Sequence, residues 1–454
     1  MTRRNMLYTG AAAFTGIPQL MSHTGAAPWL EALAAASAPQ PPACRAEWRS
    51  TWVAALAVLA ANVRTTPSCT LPVLFEGSTY RGIWQEDGPH ESLVYASLRE
   101  YLLYTEGMPQ PLDVARNSHL IFFSRQREDG QLPASVKMEE NGFGQIQMVV
   151  PIAATAYELA QELNDEEFLR TAYLACCRWD AWLRMYRDTR KTGLIEGFCT
   201  YDTGHDNSPR WKGIPNRCPN ADARECPPLD SMPRICPDLS ATVYGARVAL
   251  HKMAWALGKR EEADRWLNDA EAIRELIIDR LYSPEDAAFY DLDAHNKFVR
   301  VRSDVISRVL GEHVLKLDEQ RDRAIFDSVW ERQLYNPKAF WGTYPLTSIA
   351  MDDPVFVRPI PRNSWGGAAQ ALTALRAPRW MGFYGKHDAL LQMMEKWCEA
   401  IARHREFRQQ LDPVTGNFTQ PDPGAYSPTA LLFLDFSRRL ATQSEPHLGN
   451  IPRR

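Results

Sequence analysis

Apolar residues recur at helical spacing along most of this chain. Ile152, Ala156, Leu159, Ala160 and Leu163 form one stripe, and Phe168, Ala172, Ala175, Trp179 and Trp182 form a second. Asn164 with Glu167 suits the start of that second helix as a cap pair. Val243, Ala246, Leu250, Ala254 and Leu257 make a third stripe, stopped by Gly258 at a C-cap position. Ala263, Trp266, Ala270, Ile273 and Ile277 make a fourth. The spacing predicts further helices near 47–64, 92–106, 111–125, 303–311, 319–333, 366–377, 382–404 and 427–440. Period-two alternation is scarce, so strands should be minor. Paired helices in this number predict an all-α toroid of two concentric rings, with the loops at one end lining a central pocket.

Composition narrows the partners. The 454 residues carry 51 Lys+Arg against 55 Asp+Glu, which gives no electrostatic case for nucleic acid or an anionic membrane. The length would suit about three domains, but no linker interrupts the middle. One domain over 39–441 is therefore expected, between a leader over 1–38 and a disordered tail over 442–454.

Arg3-Arg4 followed by the weakly apolar Tyr8–Phe14 is similar to a twin-arginine export signal, and Ala36-Ser37-Ala38 offers a small-residue cleavage site. An exported, periplasmic protein is expected, with a cytoplasmic one as the alternative. The apolar run Trp52–Ala61 is too short to span a bilayer. In an exported protein Cys44, Cys69, Cys199, Cys218, Cys226 and Cys236 could form two or three disulfides. The expectation is a loop insertion from Trp211 to Asp238 pinned by such bridges. Cys176-Cys177 lies in a helix and reads as core. The spacing of Cys218, Cys226 and Cys236 does not match a zinc site.

The candidate chemistry centres on Tyr201-Asp202-Thr203-Gly204-His205-Asp206-Asn207-Ser208-Pro209-Arg210-Trp211. Two carboxylates lie four residues apart in a loop closed by an arginine and an indole. A carboxylic acid half-buried against aromatic rings stays protonated near neutral pH and can protonate the leaving oxygen of an acetal. Asp206 is the candidate acid, and Asp202 is expected to cap or brace the loop. Trp84, Trp211, Trp341, Trp365 and Tyr426 sit beside Gly, Pro or Asn and could offer flat faces to a sugar. Asp87, Gln145, Gln147, Arg210, Arg362 and Asn363 could hold hydroxyls, the arginines alternatively a carboxylate. Each of these residues could equally pack or bridge loops. Nucleotide-binding glycine loops, His-Glu-x-x-His and Gly-x-Ser-x-Gly are absent, and no compact metal-ligand cluster appears. No metal or cofactor is expected.

The order of motifs resembles the six-hairpin glycosidases of family 63 and their mannosylglycerate-hydrolase relatives, and more distantly the trehalases. The shared marks are Trp84-Gln85-Glu86-Asp87, Gln126–Pro133, Gln145-Ile146-Gln147, Arg187-Asp188 with Gly193-Leu194, and the Gly204–Arg210 loop. Asp238-Leu239-Ser240, Leu281-Tyr282 with Phe289-Tyr290-Asp291, and Asp412–Gly416 complete the series, over roughly residues 45–440. The resemblance implies an (α/α)6 barrel and a glycosidase that acts on a carbohydrate substrate, an α-linked small saccharide or glycosyl conjugate, with inversion. It puts the general acid on Asp206, and the family's base, a glutamate before an aromatic-Asp-Pro turn, falls on Gln409. An amide cannot take a proton from water. Glu406, Asp412 or a carboxylate from another loop must then act, with Glu406 kept as the candidate catalytic base, or activity is lost. Two rivals stand beside this expectation: a sugar lyase or epimerase, and a catalytically impaired carbohydrate-binding protein.

Overall fold

The computed structural model describes residues 45–67, 69–102, 109–361, 364–419 and 424–444. The twin-arginine segment, the candidate cleavage site, Cys44, Arg362, Asn363 and most of the tail fall outside the described residues. Twelve α-helices occur among those described. They are α1 (Arg49–Asn62), α2 (Gly88–Ser97), α3 (Pro111–Phe123), α4 (Ile152–Leu163), α5 (Glu166–Tyr186) and α6 (Pro237–Ala256). The series continues with α7 (Arg260–Leu281), α8 (Val305–Gly311), α9 (Gln320–Val329), α10 (Ala371–Met381), α11 (His387–His404) and α12 (Ser427–Ser444).

The four stripes read from the sequence are α4 to α7. Asp165, rather than Asn164, caps α5: its carboxylate accepts the Phe168 amide at 2.9 Å. Asn164 instead ends α4 in the left-handed conformation at φ 50°. The helix expected near 92–106 starts earlier, at Gly88, with Pro89 in its first turn where a missing N–H costs nothing.

α2, α4, α6, α8, α10 and α12 each touch the next, and α12 returns to α2, closing a circuit of six. α3 lies against α2, α5 against α4 and α6, α7 against α6, and both α1 and α11 against α12. The circuit helices are apolar around most of their girth, as α6 illustrates: it buries Leu239, Ala241, Val243, Leu250 and Met253. α5 and α11 bury one stripe only. The mostly helical fold agrees with the expectation, and strands are short.

The segments entering the N-termini of the circuit helices carry the polar chemistry. Short antiparallel pairs brace them. Gly82–Trp84 pairs with Ser135–Lys137, which pairs with Asn141–Gly142, and Trp84 stands opposite Ser135. Ala369–Gln370 pairs with Gln410–Leu411 beside Gln409.

The disulfide expectation is corrected for Cys199, Cys218, Cys226 and Cys236; Cys44 and the side chain of Cys69 lie outside what the structure describes. Cys199, Cys218, Cys226 and Cys236 are free thiols, as are Cys176 and Cys177. A buried ion pair and a buried hydrogen bond brace the region in their place: Arg187 grips Asp202, and Arg234 donates to the Arg210 carbonyl. Two small Cys/Asp groupings lie here, and their carboxylates are paired: Asp202 with Arg187, and Asp238 and Asp291 both with Arg210. No helix among the described residues is long and apolar enough to cross a membrane.

Candidate active site

The loop around Asp206 is clamped on both sides. Arg210 is fully buried and makes paired bonds to Asp238 (2.7 and 2.7 Å) and to Asp291 (2.8 and 2.6 Å). Its Nη1 also lies 2.9 Å from His205 Nδ1. A guanidinium only donates, so Nδ1 must accept, and the imidazole proton sits on Nε2, 2.6 Å from Asp304 Oδ1. Burial, Arg308 and Arg210 hold His205 down at about 4, and it is neutral near pH 7. Asp304 stays well below the usual carboxylate range although buried, because Arg308 and His205 favour its charge. Asp304 also accepts from Thr373 at 3.1 Å, which ties α8, α10 and the loop together.

Asp202 serves the same loop. It accepts the amides of Ile146 (2.9 Å), Phe198 (2.7 Å) and Cys199 (3.2 Å), besides Arg187. The bracing role expected for it matches these bonds.

Between the clamps, Asp206 is half-buried, and its carbonyl accepts the Trp365 amide at 3.0 Å. Its side chain lines a cavity of about 180 Å³ with Trp84, Trp365, Tyr80 and Tyr201. Gln145, Gln147 and Gln409 supply amides, Glu76 and Glu86 supply carboxyls, and Lys137 and Arg217 supply cations. Tyr80 donates to Gln409 Oε1 at 2.8 Å. Gln145 donates to Gln147 Oε1 at 3.0 Å, and Gln147 Nε2 donates to Glu86 Oε2 at 3.2 Å. Gln147 holds φ at 46°, a sparsely populated conformation for a residue with a Cβ, fixed by the Asp202 contacts on either side of it. Burial, then Asp87 and Asp206, push Glu86 up to about 8, against Gln147 and Arg308. Glu76, which accepts the Tyr426 hydroxyl at 2.7 Å, is also pushed well up, first by burial and then by Glu86.

Of the residues singled out from the sequence, Asp206, Trp84, Gln145, Gln147, Trp365 and Gln409 converge on this cavity. The others do not. Arg210 is spent on Asp238 and Asp291. Asp87 turns inward to Arg376 at 2.7 Å. Trp211 is buried between the Arg210 and Arg234 guanidinium groups and faces an outer groove. Trp341 packs on Tyr335 and Trp330. Tyr426 stands behind Glu76. Glu406 pairs with Arg408 at 2.7 Å and is not among the lining side chains. Asp412 Oδ1 accepts the Val414 and Thr415 amides within its own turn. Glu76, Glu86, Tyr80, Tyr201, Lys137 and Arg217 were missed. Two of them had a signal: Glu86 lies in the acidic Trp84–Asp87 turn, and Tyr201 opens the stretch that holds Asp206.

A closed circuit of helices, with carboxyl groups and indoles gathered where its members begin, is the setting of the site. Residues 111–428 match the mannosylglycerate hydrolase MGH1-like glycoside hydrolase domain, and the chain belongs to that family. Solved structures agree on the fold. The family 63 mannosylglycerate hydrolase of Thermus thermophilus, in complex with Tris, superposes with a TM-score of 0.66 at 19% identity, over 85% of this chain and 99% of that one. The neutral trehalase of Saccharomyces cerevisiae gives 0.59 at 13% identity, over 84% of this chain and 78% of its own. A family 78 rhamnosidase of a Bacillus species gives 0.56 at 14% identity, over 88% and 36%. No curated protein matches the sequence.

Proposed function

We propose that this protein is an (α/α)6-barrel glycosidase that hydrolyses an α-glycosidic bond in a small saccharide or glycosyl conjugate, with inversion and with Asp206 as general acid. One observation carries the reading: the half-buried carboxyl of Asp206 lines a small cavity walled by Trp84, Trp365 and three glutamine amides. Indole faces suit the apolar face of a pyranose, and amides can both give and accept bonds at its hydroxyls. The tightness of the cavity favours a single sugar ring at the cleavage point. Lys137 and Arg217 make a conjugate with an anionic aglycone the preferred substrate class.

Asp206→Asn tests the role. It should lower glycoside turnover by about 100-fold to 10,000-fold while the circular dichroism spectrum stays that of the wild type. Turnover within a few-fold of wild type overturns the assignment. Anomer-resolved NMR of the first product reads the stereochemistry, and a retained α anomer would remove the inverting mechanism. The amide at Gln409 supports a second reading, a carbohydrate binder without turnover. Binding of glycosyl glycerates and disaccharides by the wild type without any cleavage would favour it.

A further inference from the structure

Acetal hydrolysis needs one carboxyl to protonate the leaving oxygen and, in most glycosidases, a second to act on the other side of the bond. Beside Asp206, the carboxyls lining the cavity are those of Glu76 and Glu86. We propose that Glu86 is the second carboxylate of the reaction, taking the proton from the attacking water while Asp206 protonates the departing oxygen. The proposal rests on the hydrolase reading above.

The geometry favours Glu86 over Glu76. Glu86 lies on the turn between Trp84 and α2, and this turn packs directly against the Asp206 loop. A Cβ added to Gly204, two residues before Asp206, would lie 1.9 Å from Glu86 Oε2. Gly204 has φ 62° and no side chain, so that close approach is built into the loop. Glu86 is fixed at both ends: its carbonyl accepts the Val150 amide at 2.9 Å, and Gln147 holds one carboxyl oxygen. The Gln147 carboxamide is itself oriented by Gln145, so its N–H points to Glu86. Glu76, by contrast, accepts the hydroxyl of Tyr426, whose own amide bonds to Phe407, and this ties Glu76 to the wall.

The charge state sets the pH at which the pair can act. Burial, then Asp87 and Asp206, push Glu86 up to about 8, so Glu86 becomes a proton acceptor as pH rises through that value. The step balances. The water oxygen bonds to the anomeric carbon as the bond to the leaving oxygen breaks. Glu86 takes one water proton, Asp206 gives its own, and solvent returns a proton from Glu86 to Asp206.

Fluoride is a leaving group that needs no acid, so α-D-mannosyl and α-D-glucosyl fluoride separate the two roles, with sodium azide as a substitute nucleophile. The wild type should hydrolyse at least one fluoride. Asp206→Asn should lose the glycoside activity but less than about tenfold on the fluoride, whereas Glu86→Ala should lose about 100-fold or more on both. Azide should restore Glu86→Ala on the fluoride and yield the β-glycosyl azide. Glu86→Gln, nearly isosteric, should keep the wild-type melting profile at acid pH and be as inactive as Glu86→Ala. A Glu86→Ala enzyme with wild-type fluoride turnover overturns the proposal and leaves the hydrolase reading standing. So does azide rescue confined to Glu76→Ala. A wild type that cleaves neither fluoride nor any of a panel of α-linked disaccharides and glycosyl glycerates overturns the hydrolase reading, and the proposal with it.

Discussion

His205 Nε2 lies 2.6 Å from Asp304 Oδ1, so the residue immediately before Asp206 is bonded to the residue that opens α8. Both side chains are buried, and Asp304 also faces Arg308 at 3.2 Å. Asp304→Asn leaves Arg308 with only the longer 3.6 Å contact to Asp238 among its buried carboxylates. Breaking a buried pair on one side costs about 3–5 kcal/mol. Urea unfolding should register a loss of that order, with reduced turnover wherever the fold persists. A loss under about 1 kcal/mol would remove the clamp from the account.

His205 also sets an acid limb of stability. The fold lowers it from 6.5 to about 4, so between those values the unfolded chain binds the proton and the folded chain does not. The stabilisation is complete above pH 6.5 and is lost as pH falls to about 4. His205→Gln, unable to titrate, should be less stable at pH 7 and show a flatter melting curve from pH 6.5 to 4. An unchanged slope in that window would refute this.

Glu86 acts in the opposite direction. The fold raises it from 4.5 to about 8, so its contribution is fully present below pH 4.5 and lost as pH rises through 8. Glu86→Gln should match the wild type near pH 4.5 and melt at a higher temperature at pH 8.5. Coincident melting temperatures across the range would argue that Glu86 is not held protonated.

Gly204→Ala tests the contact between the two loops. The added methyl meets Glu86 at 1.9 Å in a left-handed backbone, a cost of about 1–3 kcal/mol. Turnover should fall together with stability. Normal kinetics with an unchanged melting temperature would show that the loops can part freely.

Trp84→Ala removes an indole at the mouth of the cavity, opposite Ser135 in the short sheet. Loss of about 1–2 kcal/mol of ring contact should raise KM roughly tenfold. kcat on a saturating glycoside should change little. A fall in kcat with KM constant would mark Trp84 as a brace for Tyr80, which packs on it at 5.6 Å.

The helices were legible because each buries a stripe that repeats within one element. Their ends were less so: Asn164 and Asp165 are both good cap residues, and only the backbone decides which one caps α5. Within the site, Asp206, the Gln145/Gln147 pair and Trp365 stood out because they sit in loops punctuated by Gly, Pro and Asn. Asp87 and Arg210 were misread for one reason. Their charges are satisfied by Arg376, Asp238 and Asp291, partners far along the chain that no local pattern reveals. Glu86 stayed hidden beside Asp87 because neighbours on a turn face opposite ways, one into the helix circuit and one into the cavity.

The return of α12 to α2 gives the last helix a duty out of proportion to its place in the chain. Asn62 bonds to Ser427 at 2.9 Å, Ser427 bonds to the carbonyl of Phe75, and Tyr426 reaches Glu76. Without the residues from 426 onward, Glu76 would lose the hydroxyl that holds it at the cavity wall, and the circuit would lose one of its six helices.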